Sequence, residues 1–64
     1  MTYAQMKEKA FKGFAAYSIE DLKKRLVELM NSHEQGAGIV FNILLDYLES
    51  KMPESEFVAF CDSL

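Results

Sequence analysis

The fold is decided by residues 39–48, IVFNILLDYL, a stretch in which eight of the ten side chains are apolar. The apolar side chains cover one broad face at the period of an α-helix and lack the strict alternation of a strand. A helix that is apolar nearly all round must be covered nearly all round by other elements. The stretch therefore predicts a central helix, over about residues 36–51, in an all-α protein.

Two capping signals predict the helices that precede this stretch. Thr2 and Gln5 have the spacing of a capping box, in which each side chain accepts a hydrogen bond from the other residue's amide. They predict a first helix over about residues 3–15. Ser18 is a typical N-cap residue and is followed by acidic residues that favour the positive end of a helix. It predicts a second helix over about residues 19–31.

Pro53 marks the end of the central helix and the beginning of the last one. Its nitrogen carries no hydrogen to continue a helix, whereas its fixed φ angle suits the start of one. We therefore expect an all-α, small four-helix single domain over residues 1–64. Its helices are predicted to cover about residues 3–15, 19–31, 36–51 and 54–63.

The segment SHEQGAG, residues 32–38, predicts a turn that merges into the central helix. Ser32 and Gln35 have the spacing of another capping box, but Gly36 and Gly38 lower the helix propensity. The two glycines indicate either a tight turn or a close contact between helices.

Composition excludes several classes of protein. The 64 residues include one cysteine and one histidine, too few for an internal disulfide or a structural zinc site. No catalytic, cofactor-binding or metal-binding residue is predicted, and neither is a small-molecule substrate. The longest apolar run is far shorter than the roughly 20 residues of a membrane span, so no membrane contact is expected. A lone cysteine, and the lack of a secretory signal in residues 1–10, predict a cytoplasmic protein.

The apolar character of the central helix also predicts self-association, most simply as a two-fold homodimer. The three other helices are short, and any uncovered apolar face would form a patch of the kind that marks an interface. The candidate interface residues are Phe41, Leu45, Phe57 and Phe60. In the alternative interpretation, the central helix is fully enclosed and these four residues belong to the core.

The aromatic residues are divided between core and surface in this interpretation. The five phenylalanines mostly lie on helix faces that we assign to the core, where they cannot stack on bases. Tyr3 and Tyr47 are therefore the aromatic residues expected at the surface.

Charge is unevenly distributed along the chain. Residues 1–25 contain six of the seven basic side chains and three acidic ones, whereas residues 26–64 contain one basic and seven acidic side chains. A cluster of basic side chains is typical of phosphate binding. The candidate phosphate contacts are Lys7, Lys12, Lys23, Lys24 and Arg25. Alternatively, these residues form solvated helix faces, with ion pairs four residues apart such as Glu20–Lys24, Asp21–Arg25 and Lys24–Glu28.

Two segments resemble a family of small helical regulators, the haemolysin-expression modulators. The segments are SIEDLKKRL, residues 18–26, and LLDYLESKMPESEF, residues 44–57, with the match at Lys51, Met52, Pro53 and Phe57. The resemblance implies a small regulatory partner protein. The sequence departs from the family where Gly36-Ala37-Gly38 replaces a polar Asp-His-Arg stretch, and we do not assign it to the family.

The function that the sequence favours is a non-enzymatic helical interaction or regulatory module that acts through protein–protein contacts. Abundant apolar side chains and the lack of a catalytic constellation both favour it. The alternative is an accessory nucleic-acid binder that contacts phosphates independently of sequence. Sequence-specific DNA reading is disfavoured because the third helix offers few side chains that hydrogen-bond base edges.

Overall fold

The computed structural model of the protein describes residues 2–64. Its helices are α1 (Tyr3–Phe14), α2 (Ile19–Met30), α3 (Ala37–Lys51) and α4 (Glu54–Asp62). Residues 2–64 contain no strand, and the structure is 76% helical. The predicted all-α, four-helix fold is confirmed, and every predicted helix bound lies within one residue of the observed one.

Side-chain caps begin the first two helices, as the sequence predicts. The Gln5 amide donates to Thr2 Oγ1 at 3.2 Å, and the Thr2 amide donates to Gln5 Oε1 at 3.0 Å. The Asp21 amide donates to Ser18 Oγ at 3.1 Å. These bonds satisfy amides that have no partner within the first turn of a helix, which explains why the predicted starts are accurate.

The connection between α2 and α3 is a tight turn rather than a close helix contact. Gly36 has a φ of 87°, in the left-handed region that favours glycine, and α3 begins directly after it. A Cβ atom added at Gly38 would meet no atom within 4 Å, so no other helix approaches that position. The Ser32 hydroxyl accepts from the Glu34 amide at 3.2 Å. The predicted capping box between Ser32 and Gln35 does not start a helix there.

The core lies mainly between α2 and α3. Its buried side chains belong to α2, α3 and the residue that follows α3: Leu22, Leu26, Leu29, Ile43, Leu44, Tyr47, Leu48 and Met52. Helices α1 and α4 contain no fully buried residue and cover the core with half-buried phenylalanines. Because α3 packs against each of the other helices, it is the central helix that the sequence predicts.

Tyr47 is part of this core, which contradicts its predicted position at the surface. The side chain is 6% exposed because α1 lies over it. The Phe11 and Phe14 rings meet the Tyr47 ring edge-on, with centroids 5.1 and 5.5 Å away. Tyr3, by contrast, is 50% exposed, as predicted. The edge-on aromatic cluster joins α1 to α3.

Candidate interaction surface

An open groove lies where the end of α1, one side of α2 and the beginning of α3 meet. Its volume is about 640 Å³. The apolar residues that line it are Phe14, Tyr17, Leu22 and Val40. The charged residues that line it are Asp21, Lys24, Arg25 and Glu28. The groove therefore has an apolar floor with a mixed-charge edge formed by α2. We call it the α2 groove.

Two exposed apolar side chains make the α2 groove differ from an ordinary surface depression. Tyr17 lies in the short connection between α1 and α2, where its amide donates to the Phe14 carbonyl at 3.0 Å. This connection leaves the Tyr17 side chain 62% exposed. Val40, in the first turns of α3, is 40% exposed. Aromatic side chains are enriched at the centre of protein interfaces, and here one lines the same groove as an exposed aliphatic residue.

The charged edge of the α2 groove is built from successive turns of α2. Arg25 Nη1 donates to Glu28 Oε2 at 3.1 Å. Among residues 2–64, neither the Asp21 carboxylate nor the Lys24 ammonium group is in an ion pair. The edge therefore contains one internal pair and one further charge of each sign.

The four candidate interface residues lie at the margin of the core. The side chains of Phe41, Leu45, Phe57 and Phe60 are half-buried and pack against the buried cluster. The four residues thus pack at the edge of the core, while the first turns of α3 remain exposed at Val40. Tyr17 is not among the predicted interface residues. The helix cap at Ser18 beside it indicates a connection between helices, where an aromatic side chain is easily left exposed.

The five candidate phosphate contacts do not form one patch. Lys23 Nζ lies 5.5 Å from the centre of the Phe60 ring of α4, whereas Arg25 lines the α2 groove on the other side of α2. Two residues along a helix are about 160° apart around its axis, which explains this separation. Lys7, on α1, lies beside Asp46 of α3.

Most of these basic side chains have an acidic neighbour. Four N–O distances lie within 4.0 Å: Lys7–Asp46 at 3.3 Å, Lys12–Glu8 at 3.7 Å, Lys23–Glu20 at 3.3 Å and Arg25–Glu28 at 3.1 Å. On α2 the pairs are three residues apart, rather than the four residues predicted for Glu20–Lys24, Asp21–Arg25 and Lys24–Glu28. Exposed pairs of this kind contribute at most about 1 kcal/mol each.

A second, smaller groove lies at the turn between α3 and α4. Its volume is about 440 Å³, and it is lined by Glu49, Met52, Glu54, Phe57 and Val58. Its lining has two carboxylates and no basic side chain, so it is acidic, whereas the α2 groove has two side chains of each sign.

Among residues 2–64, few side chains could act in catalysis or bind a metal ion. His33 is exposed in the connection between α2 and α3, and Cys61 is a free, half-buried thiol in α4. Within residues 2–64, no group of three or more His, Cys, Asp or Glu side chains is placed to hold a metal ion. No helix in this part of the chain has the length and apolar character needed to span a membrane.

Comparison with known proteins gives no relative for this chain. No protein-family model matches it, no curated protein matches its sequence, and no solved structure matches it. The resemblance to the haemolysin-expression modulators thus gains no support, and any functional conclusion depends on the surface itself.

Proposed function

We propose that this chain is a small, non-enzymatic helical interaction module that acts through protein–protein contacts and self-associates as a homodimer. The observation that supports this most directly is the α2 groove, which is lined by two exposed apolar side chains, Tyr17 and Val40. Exposed apolar residues that share a groove and are rimmed by charge are typical of interfaces. The sequence also predicts self-association, but through Phe41, Leu45, Phe57 and Phe60. We now propose the α2 groove as the contact surface.

The surface area of the molecule also supports an uncovered interface. The accessible surface is 4643 Å², whereas a monomeric protein of this mass exposes about 4,200 Å². The radius of gyration is 11.5 Å, against about 10.7 Å for a compact domain of 64 residues. The chain therefore exposes about a tenth more surface than a compact monomer of its mass, an excess of about half of the roughly 800 Å² that a standard interface covers on each partner.

The non-enzymatic part of the proposal rests on size and on the placement of reactive groups. Substrate pockets usually bury most of their ligand, which a 64-residue chain has little material to do. His33 is exposed in a connection, and Cys61 packs in α4, so the two reactive side chains belong to different parts of the fold. Contact with a partner is the activity that this arrangement favours.

Nucleic-acid binding is the second candidate function. The excess of basic side chains in residues 1–25 favours it, and Lys24 and Arg25 adjoin each other at the α2 groove. Ion pairs at Lys7, Lys12, Lys23 and Arg25 weigh against it because phosphate must compete with an existing carboxylate. If this function holds, the chain retards DNA in a gel at low salt and affinity falls steeply as salt rises.

We also propose a cytoplasmic location. The support is Cys61, a single free thiol, because free thiols persist in reducing compartments. Cell fractionation tests this, and recovery with the membrane or secreted fraction would contradict it.

Sedimentation equilibrium tests the proposed self-association. We expect a mixture of monomer and dimer masses across tens of micromolar, with the dimer share rising with concentration. A single species at the monomer mass over that range would show that self-association is wrong.

A further inference from the structure

The acidic and basic side chains along the α2 groove are spaced so that two copies of α2 can complement each other. Asp21 and Arg25 are four residues apart, which places them on the same side of the helix, about one turn from each other. Both residues line the α2 groove beside its apolar floor. A partner that covers the floor would therefore approach both charges.

The Asp21 carboxylate is available for such a partner. Its backbone amide is engaged by Ser18, but its side chain is in no ion pair among residues 2–64. Arg25 bonds Glu28 through one nitrogen, Nη1. Because a guanidinium group has five N–H donors, Arg25 can donate hydrogen bonds to a second carboxylate without losing the first.

Two-fold symmetry makes this arrangement complementary to itself. In a two-fold contact, if residue 21 of one copy meets residue 25 of the other, then residue 25 of the first meets residue 21 of the second. Antiparallel α2 helices whose axes cross at the level of residue 23, on the side of α2 that faces the groove, satisfy this condition and form two opposite-charge pairs. A crossing midway between Lys24 and Arg25 would instead oppose Asp21 to Glu28, which are both acidic.

We infer that the α2 groove is covered by the same surface of a second copy of this chain, with the two α2 helices antiparallel. Asp21 contacts Arg25 of the partner subunit, and the symmetric pair forms at the same time. The contact covers the exposed parts of Tyr17 and Val40. This inference rests on the proposed function, because it names the surface and the geometry through which the chain self-associates.

Charge-reversal variants test the pairing. Asp21→Arg opposes two basic side chains in each symmetric pair, and Arg25→Asp opposes two acidic ones. We expect each variant alone to dimerise at least about tenfold more weakly than the wild type at low salt. An equimolar mixture of the two variants restores opposite charges in both pairs, so it should form a heterodimer. The double variant D21R/R25D should also dimerise, because it exchanges the charges without changing their complementarity.

The measurement is sedimentation equilibrium of each variant and of the mixture, with circular dichroism to establish that each is helical. Asp21→Asn is a second variant that removes the charge yet keeps a residue suited to the beginning of a helix, and it should weaken the dimer less than Asp21→Arg. The matched control is the Glu8–Lys12 pair on α1, which has the same spacing and lies outside the α2 groove. Glu8→Lys, Lys12→Glu and their mixture should dimerise like the wild type.

The outcomes separate the two proposals. Restored dimer in the mixture, with weak dimer in each variant alone, supports the antiparallel contact. A wild-type dimer that persists in both single variants, or a mixture no better than its components, overturns the contact and leaves self-association standing. A wild-type chain that remains monomeric overturns both.

Discussion

At the scale of single residues, Ser18 shows how one side chain fixes the start of an element. Its hydroxyl accepts a hydrogen bond from the Asp21 amide at 3.1 Å, while its backbone remains extended, with φ of −72° and ψ of 158°. Without that oxygen, the amide must find water in the first turn of α2. The α1–α2 connection, including Tyr17, is oriented by this cap.

We predict that Ser18→Ala lowers the free energy of unfolding by about 1 kcal/mol. In a domain of this size, that loss lowers Tm by about 4–8 °C. Ser55→Ala is the matched control, because Ser55 lies within α4, which has no side-chain cap, and alanine has the higher helix propensity. The control should be neutral or slightly stabilising in urea denaturation followed by circular dichroism. Equal unfolding midpoints for the Ser18 variant and the wild type would contradict the role of the cap.

Tyr47 illustrates what a residue pattern does not determine. It lies on the broad apolar face of α3 in the sequence, yet it is grouped there with Tyr3 as an aromatic residue expected at the surface. Its burial results from the position of α1, whose Phe11 and Phe14 rings lie 5.1 and 5.5 Å from it. The side on which a neighbouring helix lies depends on contacts distant in sequence, and no local signal reports it.

At the scale of elements, the helix bounds could be predicted closely, whereas the surface that the helices form together could not. Helix caps and Pro53 act on adjacent residues, so their effect can be predicted from the sequence. The helix bounds predicted from them are accurate to one residue. The α2 groove could not be predicted, because it combines residues that are distant in sequence. Tyr17, Arg25 and Val40 come from three different segments. The basic side chains separated for the same reason, since Lys23 faces α4 and Arg25 faces the groove.

The turn before α3 provides a matched pair of glycine substitutions. Gly36 has a φ of 87°, where a Cβ atom is strained, so Gly36→Ala should cost about 1 kcal/mol or more. Gly38 lies in the first turn of α3, and an added Cβ would meet nothing within 4 Å. Gly38→Ala should therefore stabilise the protein by up to about 1 kcal/mol through helix propensity. Urea midpoints that shift in the same direction for both variants would contradict this account of the turn.

At the scale of the whole molecule, the core is small and its covering is uneven. The buried side chains come from α2, α3 and Met52, while α1 and α4 add half-buried rings around them. A chain of this length buries only about 60% of the surface that its unfolded form exposes, so its stability is expected to be marginal. Association that covers Tyr17 and Val40 would bury further apolar area, which would stabilise a chain whose own core is small.

This coupling predicts that stability depends on protein concentration. If two folded chains associate and unfolded chains do not, a hundredfold rise in concentration favours the folded dimer by up to about 2.7 kcal/mol per dimer. The urea midpoint should then rise by as much as roughly 1 M between low and high micromolar protein, given the slopes of small proteins. The Asp21→Arg variant should show a smaller rise, because its dimer is weaker. A wild-type midpoint that stays constant over that range would mean that the molecule is stable without a partner, and that the exposed groove does not serve to hold two copies together.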